Sequence, residues 1–126
     1  MPADKNIKIL IVDDSFTMRR FNKNILTKLG FENLLEAQDG TTAIEMLQKE
    51  TIDLIISDWN MPNMNGLELL KHIRADVKLA HIPFVMVTAE AQQDNILDAI
   101  RAKVSQYIVK PFTAEGLSEK LNKIFK

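Results

Sequence analysis

Four short runs of branched and apolar residues along the chain each stop at a polar residue that can take part in chemistry. The runs at 9–12, 54–56, 84–87 and 107–109 lead into Asp13 and Asp14, Ser57 and Asp58, Thr88, and Lys110 respectively. Short branched runs bounded by turn residues are typical of strands buried on both faces of a parallel sheet. Because the carboxyl ends of parallel strands share one edge, the pattern predicts three carboxylates, a hydroxyl and an ammonium group close together.

The segments between these runs carry apolar residues at the spacing of amphipathic helices. The positions expected to face the core are Phe21, Ile25 and Leu29, then Ile44 and Leu47, then Leu67, Leu70 and Ile73, then Ile96, Ala99 and Ile100, and finally Leu117, Leu121 and Ile124. Arg19, Arg20 and Lys23 lie on the other face of the first helix, and we expect them to be solvated.

Several residues mark where the predicted helices begin and end. Ser15, Asn65 and Thr113 are placed to cap three helix starts, and Asn65 stands three residues before an acidic residue, as in a capping box. Gly30 is placed to end the first helix, and Asp39-Gly40 is typical of a turn.

Alternation of strands and helices over the whole chain predicts an α/β fold of five β-α units, a flavodoxin-like (βα)5 doubly wound parallel sheet. The strand order 2-1-3-4-5 suits it, because this order puts the weak run at 34–37 on an edge and the first and third strands at the switch point. The pattern alone leaves other doubly wound orders open. With no repeat or long linker visible, we expect one domain over residues 1–126.

Composition narrows the class of protein. The 126 residues carry a net charge of −1, which implies no bulk attraction to nucleic acid or an anionic membrane. Cysteine is absent, which fits a reducing compartment and excludes thiolate metal sites. The amino-terminal segment is polar, and no apolar stretch approaches the roughly 20 residues of a spanning helix. We therefore expect a soluble, cytoplasmic, monomeric protein.

The carboxylates Asp13, Asp14 and Asp58 come from strands that are neighbours if the order holds. Crowded carboxylates repel one another, and a divalent cation relieves the repulsion. Hard oxygen donors favour Mg2+, and a backbone carbonyl such as that of Asn60 can supply a further oxygen. Zinc is disfavoured, because the chain has only two histidines and no cysteine.

Lys110 adds a positive charge at this edge, and Thr88 adds a hydroxyl donor. A carboxylate can accept a phosphoryl group, and that transfer depends mainly on positioning and charge neutralisation. Asp58 has the surroundings of such a nucleophile. Each of these residues alone is more commonly a cap, a turn or a surface residue; it is their coincidence at one edge that indicates a magnesium and phosphoryl site.

At this point the chain resembles the response-regulator receiver domains, and most closely the stand-alone chemotaxis regulators of the CheY type. The likeness covers essentially the whole chain, and Trp59-Asn60-Met61-Pro62 is typical of the chemotaxis branch. The stretches that carry it are residues 11–14, 17–20, 57–64, 66–70, 87–91, 107–113 and 119–125.

The resemblance implies that Asp58 is phosphorylated from a phosphohistidine on a histidine kinase, of the CheA type. It implies Mg2+ on Asp14, Asp58 and the carbonyl of Asn60, with Asp13 acting through water. Lys110 and Thr88 would contact the phosphoryl group, and Lys110-Pro111 would be a cis peptide. Asn60 and Glu90 match positions that tune hydrolysis of the phosphoryl group.

The resemblance also implies a switch and its partners. On phosphorylation Thr88 is drawn inward and Tyr107 follows, so that the face of the fourth helix, fifth strand and fifth helix binds an output partner. That partner is often the flagellar switch protein FliM, and a phosphatase of the CheZ type can end the signal. A protein of this kind is not an enzyme, since it assists only its own phosphorylation and dephosphorylation.

The chain departs from these relatives near the output face. Lys103 and Gln106 replace two glycines, with Val104 between them, and Gln92 stands where relatives usually carry Lys. A left-handed Lys103 would cost roughly 1–2 kcal/mol, unless the helix end rearranges. These changes motivate a variant reading, a phosphate sink that never engages the motor. A different class, a small Mg2+-dependent phosphohydrolase, has a similar acidic edge but would need a substrate pocket that the sequence does not indicate.

Overall fold

A computed structural model describes residues 4–89 and 93–125 of the chain. Glu90 and Gln92 lie outside the described residues. The elements, in chain order, are β1 (Lys8–Val12), α1 (Phe16–Lys28), β2 (Asn33–Ala37), α2 (Gly40–Lys49), β3 (Leu54–Asp58), α3 (Gly66–Ala75), β4 (Phe84–Thr88), α4 (Gln93–Arg101), β5 (Gln106–Val109) and α5 (Ala114–Ile124). None of the helices in these ranges is long and apolar enough to cross a membrane.

The five strands form one parallel sheet in the order β2-β1-β3-β4-β5, which confirms the predicted flavodoxin-like order. The weak strand β2 lies on an edge, as predicted. The pairing register sets Val12 beside Ser57 and Thr88 beside Val109, so the strands end nearly level with one another. The residues that follow or finish these strands therefore meet at one edge.

Alternate residues of the strands fill two cores, one on each face of the sheet. Ile9 and Ile11 pack with α1 and α5, whereas Leu10 and Val12 pack with α2, α3 and Ala99 of α4. These four residues of the five in β1 are fully buried. Burial of each such side chain stabilises the fold by roughly 1.5–3 kcal/mol, which explains why continuous apolar runs mark the central strands.

The predicted helix caps are confirmed. The side chains of Ser15, Asn65 and Thr113 accept the backbone N–H groups of the residues three positions on, and Asn65 forms the full capping box with Glu68. Gly30 follows the end of α1 with a φ of +100°, a conformation that favours glycine. The turn signal at Asp39-Gly40 marks the bend between β2 and α2, where Asp39 is the N-cap of α2 and Gly40 its first residue.

Two predicted core positions are wrong. The buried side chains of α1 are Asn22, Ile25 and Leu26, and Phe21 is 40% exposed. Phe21 lies at the margin of the buried face of α1. Its ring packs edge-on against the ring of Phe112, with 5.9 Å between the ring centres. On α4, Ala99 is buried but Ile100 is 53% exposed, because the small Ala99 side chain faces the sheet and places Ile100 a third of a turn away.

Candidate functional site

The structure brings together the carboxylates of Asp13, Asp14 and Asp58, with one oxygen of each lying within 4.8 Å of the others. Asp13 and Asp14 directly follow β1, and Asp58 is the last residue of the neighbouring strand β3. Asp13 and Asp58 are buried, whereas Asp14 is exposed at the mouth of the cluster. Two buried carboxylates and one exposed carboxylate form a site that a divalent cation can enter from solvent.

Asp13 is not satisfied by the protein alone. Its Oδ1 accepts the backbone N–H of Ser15 at 2.9 Å, but its buried Oδ2 has no hydrogen-bond partner among the described residues. Burial raises the pKa of Asp13; the charges of Asp58 and Asp14 add to that rise, and the bond from Ser15 and the charge of Lys110 oppose it. An unpaired buried carboxylate oxygen beside two like charges is the environment that a bound cation or its water would relieve.

Asp58 is held by an ion pair with Lys110 and by close packing around its backbone. Lys110 Nζ lies 2.8 Å from Asp58 Oδ1, and the Asp58 side chain is only 8% exposed. Behind it, the N–H of Gly66 donates to the carbonyl of Trp59 at 2.8 Å. A Cβ on Gly66 would lie 2.4 Å from the Asp58 carbonyl oxygen, so the first residue of α3 must be glycine for the helix to pack here.

Thr88 ends β4 with its Oγ1 buried and without a hydrogen-bond partner among the described residues. Its carbonyl accepts the N–H of Lys110 at 2.7 Å, which ties the start of the β5–α5 loop to the end of β4. The hydroxyl is therefore placed on the same edge as Lys110 and Asp58, and none of the described residues uses it in a hydrogen bond.

The other predicted site residues are placed as follows. Asn60 lies two residues after Asp58, exposed in the loop between β3 and α3. Tyr107 is half-buried in β5, and Lys120 Nζ lies 5.2 Å from the centre of its ring. The peptide bond Lys110-Pro111 is cis, as the family resemblance implied. The prediction for Glu90 falls outside the described residues.

The expectation of a solvated Arg19 was wrong. Its Nη1 donates to the carbonyl of Asp13 at 2.7 Å, and its Nε donates to Glu36 at 3.0 Å. Burial raises the pKa of Glu36, but hydrogen bonds from Lys23 and Arg19 outweigh this and leave the pKa lowered. Arg19 thus holds the backbone of the acidic pair. The only signal in the sequence was a basic residue one helical turn after Ser15, which does not distinguish it from a solvated residue.

The amino-acid sequence of the chain is similar to those of known proteins. The sequence profile described as the response regulator receiver domain matches residues 9–122. The chain is 58% identical to the chemotaxis protein CheY-3 of Vibrio cholerae, over 98% of this chain and 95% of that protein. It is 56% identical to the chemotaxis protein CheY of Pseudomonas aeruginosa, over 95% of this chain and 97% of that protein.

Solved structures of receiver proteins have the same fold as this chain. The chemotaxis protein CheY4 of Vibrio cholerae, 34% identical, superposes with a TM-score of 0.86 over 94% of this chain and 98% of that one. A response regulator receiver protein of Pseudomonas putida, 25% identical, superposes with a TM-score of 0.85 over 96% of this chain and 99% of that one. The sheet order, the acidic edge and the matches over nearly the whole length lead to one conclusion: the chain belongs to the response regulator receiver family.

Proposed function

We propose that the chain, as a single receiver domain over residues 1–126, is a phosphorylation-activated response regulator in chemotaxis. It accepts a phosphoryl group on Asp58 from a phosphohistidine of a histidine kinase of the CheA type. The observation that carries this proposal is the contact of 2.8 Å between Lys110 Nζ and Asp58 Oδ1, made beside a cluster of three carboxylates. The names of the relatives from Vibrio cholerae and Pseudomonas aeruginosa support the assignment to chemotaxis.

The same cluster fits Mg2+, because its donors are carboxylate oxygens and one buried oxygen of Asp13 has no partner among the described residues. Asp14, Asp58 and the carbonyl of Asn60 would hold the ion, with Asp13 acting through water. When bound, the ion neutralises charge on the phosphoryl oxygens.

In the transfer, an Asp58 carboxylate oxygen forms a bond to phosphorus. The bond from phosphorus to the histidine nitrogen breaks, and its electron pair stays on the imidazole. Lys110 can donate to one phosphoryl oxygen and the Thr88 hydroxyl to another, which gives that buried hydroxyl the partner it lacks among the described residues. Asn60 and Glu90 would tune the later hydrolysis. The protein is not an enzyme toward free substrates, since it acts only on its own phosphoryl group.

The output would follow from a change at Thr88 that Tyr107 transmits to the face formed by α4, β5 and α5. A phosphoryl group adds roughly −1.5 to −2 charge and new acceptor oxygens, which is enough to bias a two-state element. Leu97 and Ile100 of α4 are 49% and 53% exposed and give this face an apolar surface for a partner. The partner would be the flagellar switch protein FliM, with a CheZ-type phosphatase ending the signal.

A mass measurement tests the phosphorylation step. Incubation with acetyl phosphate and Mg2+ should add one phosphoryl group to the wild type and none to Asp58→Asn. Asp98→Asn, an exposed aspartate on α4, is the matched control and should still be phosphorylated. A phosphoryl adduct that persists in Asp58→Asn contradicts the assignment of the nucleophile. Phosphomonoester turnover that Asp58→Asn abolishes would instead favour a phosphohydrolase.

A binding measurement separates the motor regulator from the phosphate sink. A peptide from the amino terminus of FliM should bind more tightly when beryllofluoride and Mg2+ are added, because beryllofluoride mimics the phosphoryl group. Equal binding with and without beryllofluoride would favour the phosphate sink. That hypothesis was suggested by Lys103, Val104, Gln106 and Gln92, which differ from the residues of the relatives.

A further inference from the structure

The loop between Asp58 and α3, which carries Asn60, is joined to the start of α2 by two hydrogen bonds. Asn63 Nδ2 donates to Asp39 Oδ2 at 2.9 Å, and the N–H of Gly40 donates to the carbonyl of Met64 at 3.3 Å. These contacts link residues 24 positions apart in the chain. Asp39 and Gly40, at the start of α2, therefore also hold the loop that lies next to the acidic edge.

The two carboxylate oxygens of Asp39 have different partners. Oδ1 caps α2 by accepting the N–H and the hydroxyl of Thr42, both at 2.8 Å, and Oδ2 accepts the amide of Asn63. The bond from the Thr42 N–H, followed by those from the Asn63 amide and the Thr42 hydroxyl, lowers the pKa of Asp39. Asp39 is buried, and a substitution can remove the Asn63 contact while leaving the cap in place.

The loop also takes a path that few residues allow. Asn63 has a φ of +66°, a left-handed conformation that asparagine tolerates better than most residues. A Cβ on Gly40 would lie 2.7 Å from Met64 Cγ and 2.9 Å from the Met64 carbonyl oxygen. The loop is thus pressed against the start of α2, with no room between them for a methyl group.

We propose that Asp39 and Asn63 are a positioning pair that sets the path of this loop and so presents the Asn60 carbonyl to the cation. The proposal rests on the proposed function, in which Asn60 supplies one of the Mg2+ oxygens. Mg2+ demands nearly ideal octahedral geometry, so a small shift of one ligand weakens binding. Residues that orient metal ligands without touching the metal commonly change affinity by about 10–100-fold.

Three variants and calorimetric titration with Mg2+ test the pair. Asp39→Ser keeps a capping oxygen for the Thr42 N–H, but its shorter side chain has no second oxygen for the Asn63 amide. Asn63→Gly keeps the left-handed backbone, removes the amide and changes no charge. The exchange Asp39→Asn with Asn63→Asp restores one donor facing one acceptor. We expect each single variant to raise the Mg2+ Kd about tenfold and the exchange to recover most of that loss.

Asn33→Ala is the control, because it removes a side-chain amide bond, to the carbonyl of Asn6 at 2.8 Å, elsewhere in the fold. It should leave the Mg2+ Kd unchanged. Single variants that bind Mg2+ as the wild type does, with a lower free energy of unfolding, would make the pair merely structural. A loss in Asp39→Ser that Asn63→Gly does not share would overturn the pairing in favour of a charge effect. Absence of Mg2+ binding in the wild type would overturn the proposed function itself.

Discussion

The acidic edge and the corner between α4 and β5, residues 102–105, pair their polar groups in opposite ways. At the edge, Asp13 Oδ2 and Thr88 Oγ1 are buried without a partner among the described residues. At the corner, one guanidinium satisfies several groups: Arg74 donates to the carbonyls of Lys103 and Ile82 at 3.0 and 2.6 Å, and also to Ala80 and Ser105. Among the described residues, the edge therefore leaves two buried polar atoms without partners, whereas the corner pairs its polar groups with one another.

The corner shows how the chain accommodates the loss of a glycine. Lys103 keeps the left-handed conformation, with a φ of +66°. Its N–H bonds the carbonyl of Ile100, and the N–H of Val104 bonds that of Ala99, both at 3.0 Å, which is a Schellman motif. Of the two alternatives that the sequence left open, the left-handed end is the one adopted. The Arg74 bond to the Lys103 carbonyl helps to offset its strain.

The difference teaches where substitution is tolerated. At the corner, the Arg74 side chain of α3 can make up for the loss of a glycine, which would favour the left-handed conformation. It can do so because the polar groups of the corner are paired with protein groups. We expect less freedom at the edge, since the proposed function needs its unpaired oxygens for a ligand and Gly66 has no room for a side chain. Three variants test this contrast, in order of decreasing effect.

Gly66→Ala should have the largest effect. The new Cβ would contact the Asp58 carbonyl oxygen at 2.4 Å and Met86 Sδ at 2.8 Å, so α3 must move away from β3. We expect a loss of about 3 kcal/mol in the free energy of unfolding, measured by urea denaturation. Gly116→Ala in α5, where the nearest atom is 3.4 Å away, is the control and should gain up to about 1 kcal/mol. Equal stability of the two variants would show that the edge is not tightly packed.

Asp13→Asn should stabilise the protein when Mg2+ is absent. The change removes one of three crowded charges and keeps an oxygen for the Ser15 N–H. We expect a gain of about 1–2 kcal/mol, together with a smaller rise of the unfolding midpoint on addition of Mg2+. Asp53→Asn is the control, because Asp53 accepts the N–H of Lys8 outside the acidic cluster and should give no gain. A less stable Asp13→Asn would mean that the edge is satisfied without a ligand.

Lys103→Gly should have the smallest effect, a gain of about 0.5–1 kcal/mol from release of the left-handed strain. Lys103→Ala should give no such gain, because alanine keeps the Cβ that causes the strain. Urea denaturation measures both, and Mg2+ titration should show the same Kd for both as for the wild type. If Lys103→Gly changed the Mg2+ Kd, the corner and the edge would be coupled even without phosphorylation.

Local signals made much of the molecule predictable. The apolar runs marked β1, β3, β4 and β5, and the caps at Ser15, Asn65 and Thr113 depend on residues three positions away. The acidic cluster followed from the strand ends together with the predicted order, because parallel strands share an edge and β1 lies beside β3. The exposure of Phe21 and Ile100 was not predictable in this way. Periodicity shows that a helix has an apolar face, but it does not show which residues at the margins of that face are buried.

The sequence by itself determined the strands and the helix starts at Ser15, Asn65 and Thr113, because each depends on short-range spacing. The gathering of Asp13, Asp14 and Asp58 also needed β1 and β3 to be neighbours, which the tertiary structure decided. Only the tertiary structure decided which side chains hold these parts in place. Arg19 reaches Glu36, Arg74 reaches Lys103, and Asn63 reaches Asp39 across 17, 29 and 24 positions of the chain. Long flexible or small polar side chains have many possible partners, and the packed fold selects one.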